Sequence, residues 1–296
     1  MNPRMTHFNL PRGGRLFILV PVLLACGCQP SAPPAPVSEV GRAETTRSDT
    51  SERQILLTST FSIVAADPET GICGAAVASK YPAVGRVVAH ARAGVGAFCT
   101  QYWAHAPCGE WALDLLASGK LPEEVLAELL ARDEERGQRQ LAIIDIHGRA
   151  ANRNPDAATH DPEHPDQDSY WWGGMTGRYY ACQGNTLVGS EVVVAMGRAY
   201  EETKGSLADR LMAALVAGDC AGGDHRGRLA AGIRVAKHGV EGYWLDLHVD
   251  KSDDAVIELA RNYSELEHAA KGDWEGGKVP FKHPCPDRPA PRPPEQ

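Results

Sequence analysis

The sequence predicts an α+β fold between residues 59 and 270, built of antiparallel sheets and layered as a four-layer α/β/β/α sandwich. Two observations predict it. The short apolar strands pair as hairpins, which argues for antiparallel sheets, and the helical segments fall next to one another in pairs rather than alternating with strands. A two-layer α+β domain is the alternative that the same pattern allows.

The elements follow in order. Thr60 to Ala66 alternates as a strand does. Asp67-Pro68-Glu69-Thr70-Gly71 has Pro and Gly where a turn needs them. Ile72 to Ser79 returns as a small-residue strand, and pairing around the turn sets Thr60 opposite Ala78, give or take a residue. Ser79 and Lys80 then stand beside Thr60 at the open end of the hairpin. Val87-Val88-Ala89 and Val95 to Thr100 are further apolar segments. A helix over 109–117 precedes a second that starts at Pro122, with Glu123 and Glu124 in its first turn and Val125, Leu126, Leu129 and Leu130 at helical spacing. Gln140 to Ile146 is a strand, and His147-Gly148 turns into a short partner. Residues 154–176 read as a polar insertion, and Tyr179 to Gln183 as a strand. Helices over 188–203 and 206–217, a hairpin from Arg228–Ala236 and Gly242–Val249, and a helix over 253–267 complete the domain.

The 296 residues carry a net charge of -8 and a hydrophobic fraction of 43%, enough to bury a core. With no long Lys/Arg run there is no nucleic-acid footprint, and no nucleic-acid partner is expected.

Residues 1–25 read as an export signal. Arg4, Arg12 and Arg15 form a basic start, and Leu16 to Ala25 an apolar stretch about half the ~20 residues of a spanning helix. The stretch ends in Leu23-Leu24-Ala25-Cys26, which looks like a bacterial lipobox. In that reading Cys26 becomes the lipidated first residue, the membrane partner is a lipid anchor, and the location is the cell envelope. Gly27 in place of Asp then points to the periplasmic side of the outer membrane. An ordinary cleavage site near Ala25 with a soluble product is the alternative. Residues 26–58, rich in Pro, Ser, Thr and charge, read as a disordered tether, and 271–296 as a Pro-rich disordered tail.

Of eight Cys, Cys26 and Cys28 belong to the lipobox. The other six read as small buried residues with room for a bridge, and the sequence does not choose the pairing. Cys spacing fits no zinc motif. His160 to Asp168 has metal-ligand residue types, but its spacing reads as a solvated loop. No metal and no cofactor are expected. Trp171-Trp172-Gly173-Gly174 reads as a ligand-stacking rim or as loop packing.

Several motifs in order carry a family resemblance. They are Thr60-Phe61-Ser62-Ile63-Val64-Ala65, Asp67 to Gly71, Ala91 to Ala97 followed by Thr100-Gln101, Gln183-Gly184-Asn185, and Gly222-Gly223-Asp224-His225-Arg226-Gly227-Arg228. Together they resemble the DUF1028 family, which is similar to N-terminal-nucleophile (Ntn) hydrolases. The chain departs from the family's pattern at Leu229-Ala230 and around Ala151-Asn152-Arg153. The resemblance implies amide-bond hydrolysis on a small amide or peptide, with Thr60 as nucleophile and its freed α-amine as base, after cleavage of the Ser59–Thr60 bond. A non-catalytic ligand-binding protein on the same fold is the rival. Thr60 is also simply what a strand favours.

Gln101, Asn185 and Asp224 complete the candidate catalytic set. Thr100 and Gln101 at a strand end would supply oxyanion donors, as would the amides of Gln183-Gly184-Asn185. Lys80 and Arg92 would lower the amine's pKa or orient the nucleophile, and either reads equally as a surface charge. Ser79, Gly222, Gly223 and Arg226 join the substrate-binding set, although the two glycines also suit a helix C-cap. Thr60, Gln101, Asn185 and Asp224 are expected to meet at one rim of the sandwich. Whether the protein is a homo-oligomer stays open.

The lipobox reading is tested by Cys26→Ala, which should move the protein from the membrane fraction to the soluble one. Unchanged fractionation, or no acyl label on the wild type, sinks it.

Overall fold

The computed structural model describes residues 57–58, 60–156, 171–266 and 285. The chain divides into two units, Met1–Ser51 and Glu52–Gln296, and every described residue lies in the second. The expected export signal, Cys26, nearly all of the tether, the segment from His160 to Asp168 and all of the Pro-rich tail but Cys285 lie outside the described residues.

The described residues form two antiparallel sheets and six α-helices. The central hairpin is β2 (Thr60–Asp67) and β3 (Ile72–Ser79), after a two-residue strand β1 (Leu57–Thr58). Then come α1 (Val84–Val88), β4 (Ala89–Arg92), β5 (Gly96–Trp103), α2 (Cys108–Ala117) and α3 (Pro122–Ala131). They are followed by β6 (Arg139–Asp145), β7 (Ala150–Arg153), β8 (Trp171–Gly177) and β9 (Tyr180–Leu187). Helices α4 (Glu191–Glu202) and α5 (Leu207–Cys220), strands β10 (Ala230–Ala236) and β11 (Leu245–Val249), and α6 (Ala255–Glu265) end the domain. One sheet has the order β11-β10-β3-β2-β9-β8; the other runs β1-β5-β6-β7, with β4 also on β5. Among the described residues no helix is long and apolar enough to cross a membrane.

Each strand of the central hairpin is buried on both faces, and its alternation sorts side chains between two cores. Phe61, Ile63 and Ala65 pack with Val192, Met196, Leu211 and Leu259 of the helices α4, α5 and α6. Val64, Ala66, Ala75 and Val77 point the other way and meet Ala97, Cys99, Ala142 and Ile144 of the second sheet. That sheet's far face, with Phe98, Leu141 and Ile143, packs under Leu113, Val125 and Leu129 of α2 and α3. The residues where sheet meets sheet are mostly Ala, Val and Cys.

The helices start where their chemistry places them. Pro122 opens α3, and the Leu121 N–H donates to Glu124 Oε2 at 2.8 Å. Ser206 caps α5: its hydroxyl accepts from Asp209 N at 3.2 Å, while Asp209 Oδ2 accepts from Ser206 N at 2.9 Å.

Two expectations are made finer and one needs correction. Thr60 stands opposite Ser79, one residue on from Ala78 and within the one residue allowed. Val84–Val88 is a short helix before the strand that starts at Ala89. Trp171–Gly177 is an edge strand, not part of an insertion. Its glycines hid it, and they are there for space. A Cβ on Gly174 would lie 2.7 Å from Asn152 Nδ2, and one on Gly173 2.5 Å from the Trp171 ring.

One bridge joins Cys220, the last residue of α5, to Cys285, 65 residues on. Cys73, Cys99, Cys108 and Cys182 are free and buried. Closing a loop of that length restricts the unfolded chain by up to about 4 kcal/mol. Cys285→Ser should therefore lower the urea midpoint markedly, and reducing agent should do the same to the wild type only. Equal midpoints for the two proteins without reductant would remove the bridge's role.

Candidate functional site

The interior between the sheets changes character at the open end of the central hairpin. Thr60 and Ser62 on β2, Ser79 on β3, Gln183 and Asn185 on β9, Gln101 on β5 and Gln140 on β6 all have 0% exposure. The period of two puts them there. Thr60 and Ser62 share the face of Val64, Gln183 and Asn185 that of Ala181, and Gln101 and Gln140 those of Cys99 and Ala142. Register then sets them in cross-strand pairs: Thr60 with Ser79, Ser62 with Gln183, Gln101 with Gln140.

A hydrogen-bond network joins them. Thr60 Oγ1 donates to Ser79 Oγ at 3.2 Å, and Thr60 O accepts from Gln101 Nε2 at 3.0 Å. Ser62 Oγ donates to Gln101 Oε1 at 2.7 Å and accepts from Gln183 Nε2 at 3.4 Å. Gln140 is the hub. Its Oε1 accepts from Gln101 Nε2 at 2.7 Å and Asn185 Nδ2 at 2.8 Å. Its Nε2 donates to Gly184 O at 2.7 Å and Asn154 Oδ1 at 3.0 Å.

Asp224 approaches the same end from the loop after α5. Gly222 and Gly223, at φ 115 and 57, close that helix, with N–H groups donating to Asp219 O at 3.0 Å and Gly218 O at 3.1 Å. Asp224 then bridges to Leu187 at the end of β9. Its carboxylate accepts from Lys80 N at 3.2 Å, Arg226 N at 2.9 Å and the Arg226 guanidinium at 3.3 Å. Burial pushes the Asp224 carboxyl above the ordinary range, outweighing Arg226 and the two backbone donors.

Two non-glycine residues with left-handed backbone flank the network: Tyr102 (φ 70) directly after Gln101 and Thr186 (φ 50) directly after Asn185. A β-branched residue in this conformation costs about 1–3 kcal/mol. The Thr186 hydroxyl recovers part of it by donating to Asn185 O at 2.7 Å.

The four residues expected to meet do lie around one end: Gln101 touches Thr60, Asn185 joins through Gln140, and Asp224 through Lys80 N beside Ser79. Gly184 takes part through its carbonyl, and Lys80 only through its backbone, its side chain being exposed. Other expectations are overturned. Arg92 pairs with Gly96, five residues from Gln101 on β5, so roughly 17 Å separates them along the strand. It is held there by Asp114 at 2.7 Å and Glu110 at 2.8 Å. Thr100 faces the helical side, where its hydroxyl accepts from His105 N at 3.2 Å. Thr60, the candidate nucleophile, is fully buried. The amide nitrogens of Gln101 and Asn185 are already spent on neighbours, and the atoms of these network side chains left without a partner are acceptors, Gln183 Oε1 and Asn185 Oδ1. Ser62 and Gln140 escaped the sequence reading. The available signal was a polar residue on the inward parity of a strand.

Comparison with known families places residues 60–259 in the family of unknown function DUF1028, and the chain belongs to it. Among solved structures, it is similar to the crystal structure of protein SPO2555 from Silicibacter pomeroyi, which carries the same family description. The two are 28% identical, with a TM-score of 0.61, over 77% of this chain and 98% of that one. Comparison with curated proteins found no match.

Gln140→Leu removes the acceptor that Asn185 Nδ2 uses and the donor to Gly184 O. Stability should fall by about 2–4 kcal/mol, since buried partners lose their hydrogen bonds. Urea denaturation reads this, and a loss under about 1 kcal/mol would refute the hub role.

Proposed function

We propose that this protein hydrolyses an amide bond in a small amide or peptide, with Thr60 as nucleophile on an Ntn-hydrolase-like fold. We further propose that a lipid on Cys26 holds it in the cell envelope. The observation that carries the reading is the position of Thr60. It opens the first strand of the central hairpin, amid buried polar side chains otherwise rare between the sheets.

In this proposal the Ser59–Thr60 bond is cut and Thr60 gains a free α-amine, whose ordinary pKa near ~8 suits a base at neutral pH. The amine takes the hydroxyl proton as Oγ1 attacks the amide carbon, then passes it to the leaving amine. The resulting ester is cleaved by water, which restores the hydroxyl. Asn185 Oδ1 and Gln183 Oε1 are acceptors suited to holding the amine's N–H groups. Asp224, fixed by Lys80 N and Arg226, adds carboxyl oxygens at the same end. Cutting would also free the domain from its tether. The burial of Thr60 and its bond to Ser79 favour the rival reading, a binding protein that keeps the fold without the reaction.

Intact-mass analysis of the protein from its native host separates the two. A species beginning at Thr60, active on a panel of amides, is expected. Thr60→Ala should stay uncut and inactive, with a melting temperature within a few degrees of wild type, while Thr60→Ser keeps both cleavage and activity. An uncut, inactive wild type leaves the binder.

A further inference from the structure

A second group of reactive side chains lies apart from the Thr60 network. Beyond β5 the chain turns through His105-Ala106-Pro107 into α2, whose first residue is Cys108. The turn is pinned at both ends. His105 N donates to Thr100 Oγ1 at 3.2 Å, and Cys108 N donates to His105 O at 2.9 Å. It brings Cys108 Sγ to 2.8 Å from His105 Nδ1.

The pair borders a cavity of about 630 Å³, within the range that holds a small organic ligand. Trp103, Pro107 and Trp111 give it apolar walls. Arg139 and Asp133 form a polar side, joined to each other at 2.6 Å, and Arg139 also donates to Trp103 O at 2.6 Å. The Trp103 indole N–H is buried without a partner. Cys73, Cys99 and Cys182 differ in kind: each has 0% exposure, and none borders the cavity.

We propose that Cys108 and His105 form a nucleophilic thiol–imidazole pair that takes an acyl group from a small ester with an aromatic acyl chain held in this cavity. Sγ attacks the ester carbon as the S–H proton passes to His105 Nδ1. The bond to the leaving oxygen breaks, His105 returns the proton to that oxygen, and a thioester remains on Cys108. Water, losing a proton to His105, then cleaves the thioester. The acid departs and the proton returns to sulfur. The base is needed. Burial, and then the charge of Asp133, push the Cys108 thiol up to about 11 against the pull of Arg139, so the thiol does not ionise unaided.

The test uses the full chain and p-nitrophenyl phenylacetate. Nitrophenol release should go with a phenylacetyl adduct on the Cys108 peptide, located by mass mapping. Cys108→Ser and His105→Gln should each slow release by about a hundredfold. His105 is exposed, so His105→Gln keeps the test open if Cys108→Ser fails to fold. Release that persists at the wild-type rate in His105→Gln overturns the proposal, as does absence of any adduct. An adduct on Thr60 instead overturns it too, while supporting the hydrolase reading.

Discussion

A side-chain amide closed between two sheets must satisfy its donors and acceptors away from bulk solvent. At Gln140 this requirement governs the surrounding structure. Its oxygen takes two donors, one from β5 and one from β9, and its nitrogen gives to the Gly184 carbonyl and to Asn154 just past β7. One residue of one sheet therefore fixes the other sheet's register against its own. Elsewhere the sheets meet through Ala, Val and Cys, contacts that tolerate sliding. The polar end concentrates the ties between specific atoms, with single ones farther out from Arg234 to Ala89 O at 3.0 Å and from Asn152 to Cys182 O at 3.2 Å. Thr60 inherits its position from that network, because its carbonyl is held by Gln101, and Gln101 by Gln140.

The sequence made the elements legible and the pairing of faces partly so. Helices α3 and α5 announce themselves through Pro122 and through Ser206 with Asp209, and the central hairpin through Asp67 to Gly71. Convergence of Thr60, Gln101, Asn185 and Asp224 followed from strand ends alone. Strand parity accounts for Ser62 and Gln140, which strand ends do not single out, and for the misplacing of Thr100. Ser62 and Gln140 lie inward by counting twos from Val64 and Ala142, whereas Thr100 lies outward by counting one from Gln101. Arg92 was misplaced for another reason. Its neighbours in sequence lead toward the site, but β4 runs antiparallel to β5, so its end lies farthest from Gln101. The Cys220–Cys285 bridge was beyond the sequence, since pairing depends on where the tail returns.

Strain sits where the network is densest. Tyr102 and Thr186 follow Gln101 and Asn185, the two residues whose amides must reach Gln140. Both strands remain paired one residue past the left-handed step, Trp103 with Leu57 and Leu187 with Trp171, before the chain leaves for the turn into α2 in one case and the loop into α4 in the other. Two unfavourable backbone conformations are sustained because the buried hydrogen bonds on either side over-determine them.

The unsatisfied valence of the network points to the kind of group that would complete it. Rotating the Asn185 amide would bring its oxygen toward Gln140 Oε1, setting acceptor against acceptor, so its nitrogen stays inward and Oδ1 is left free. Gln183 Oε1 is likewise free, while its nitrogen makes only long contacts, 3.4 Å to Ser62 Oγ and 3.5 Å to Cys99 O. Nearby, Asp224 already has backbone and guanidinium donors, yet burial still raises its pKa. The balance among these side chains is therefore an excess of acceptors over donors in a place closed to bulk solvent. Such an arrangement disfavours an anion and favours a group rich in N–H bonds, which an amine is and a carboxylate is not. An oxyanion role for these amides and an amine-binding role demand opposite atoms, and the hydrogen bonds present leave open the atoms that the amine requires.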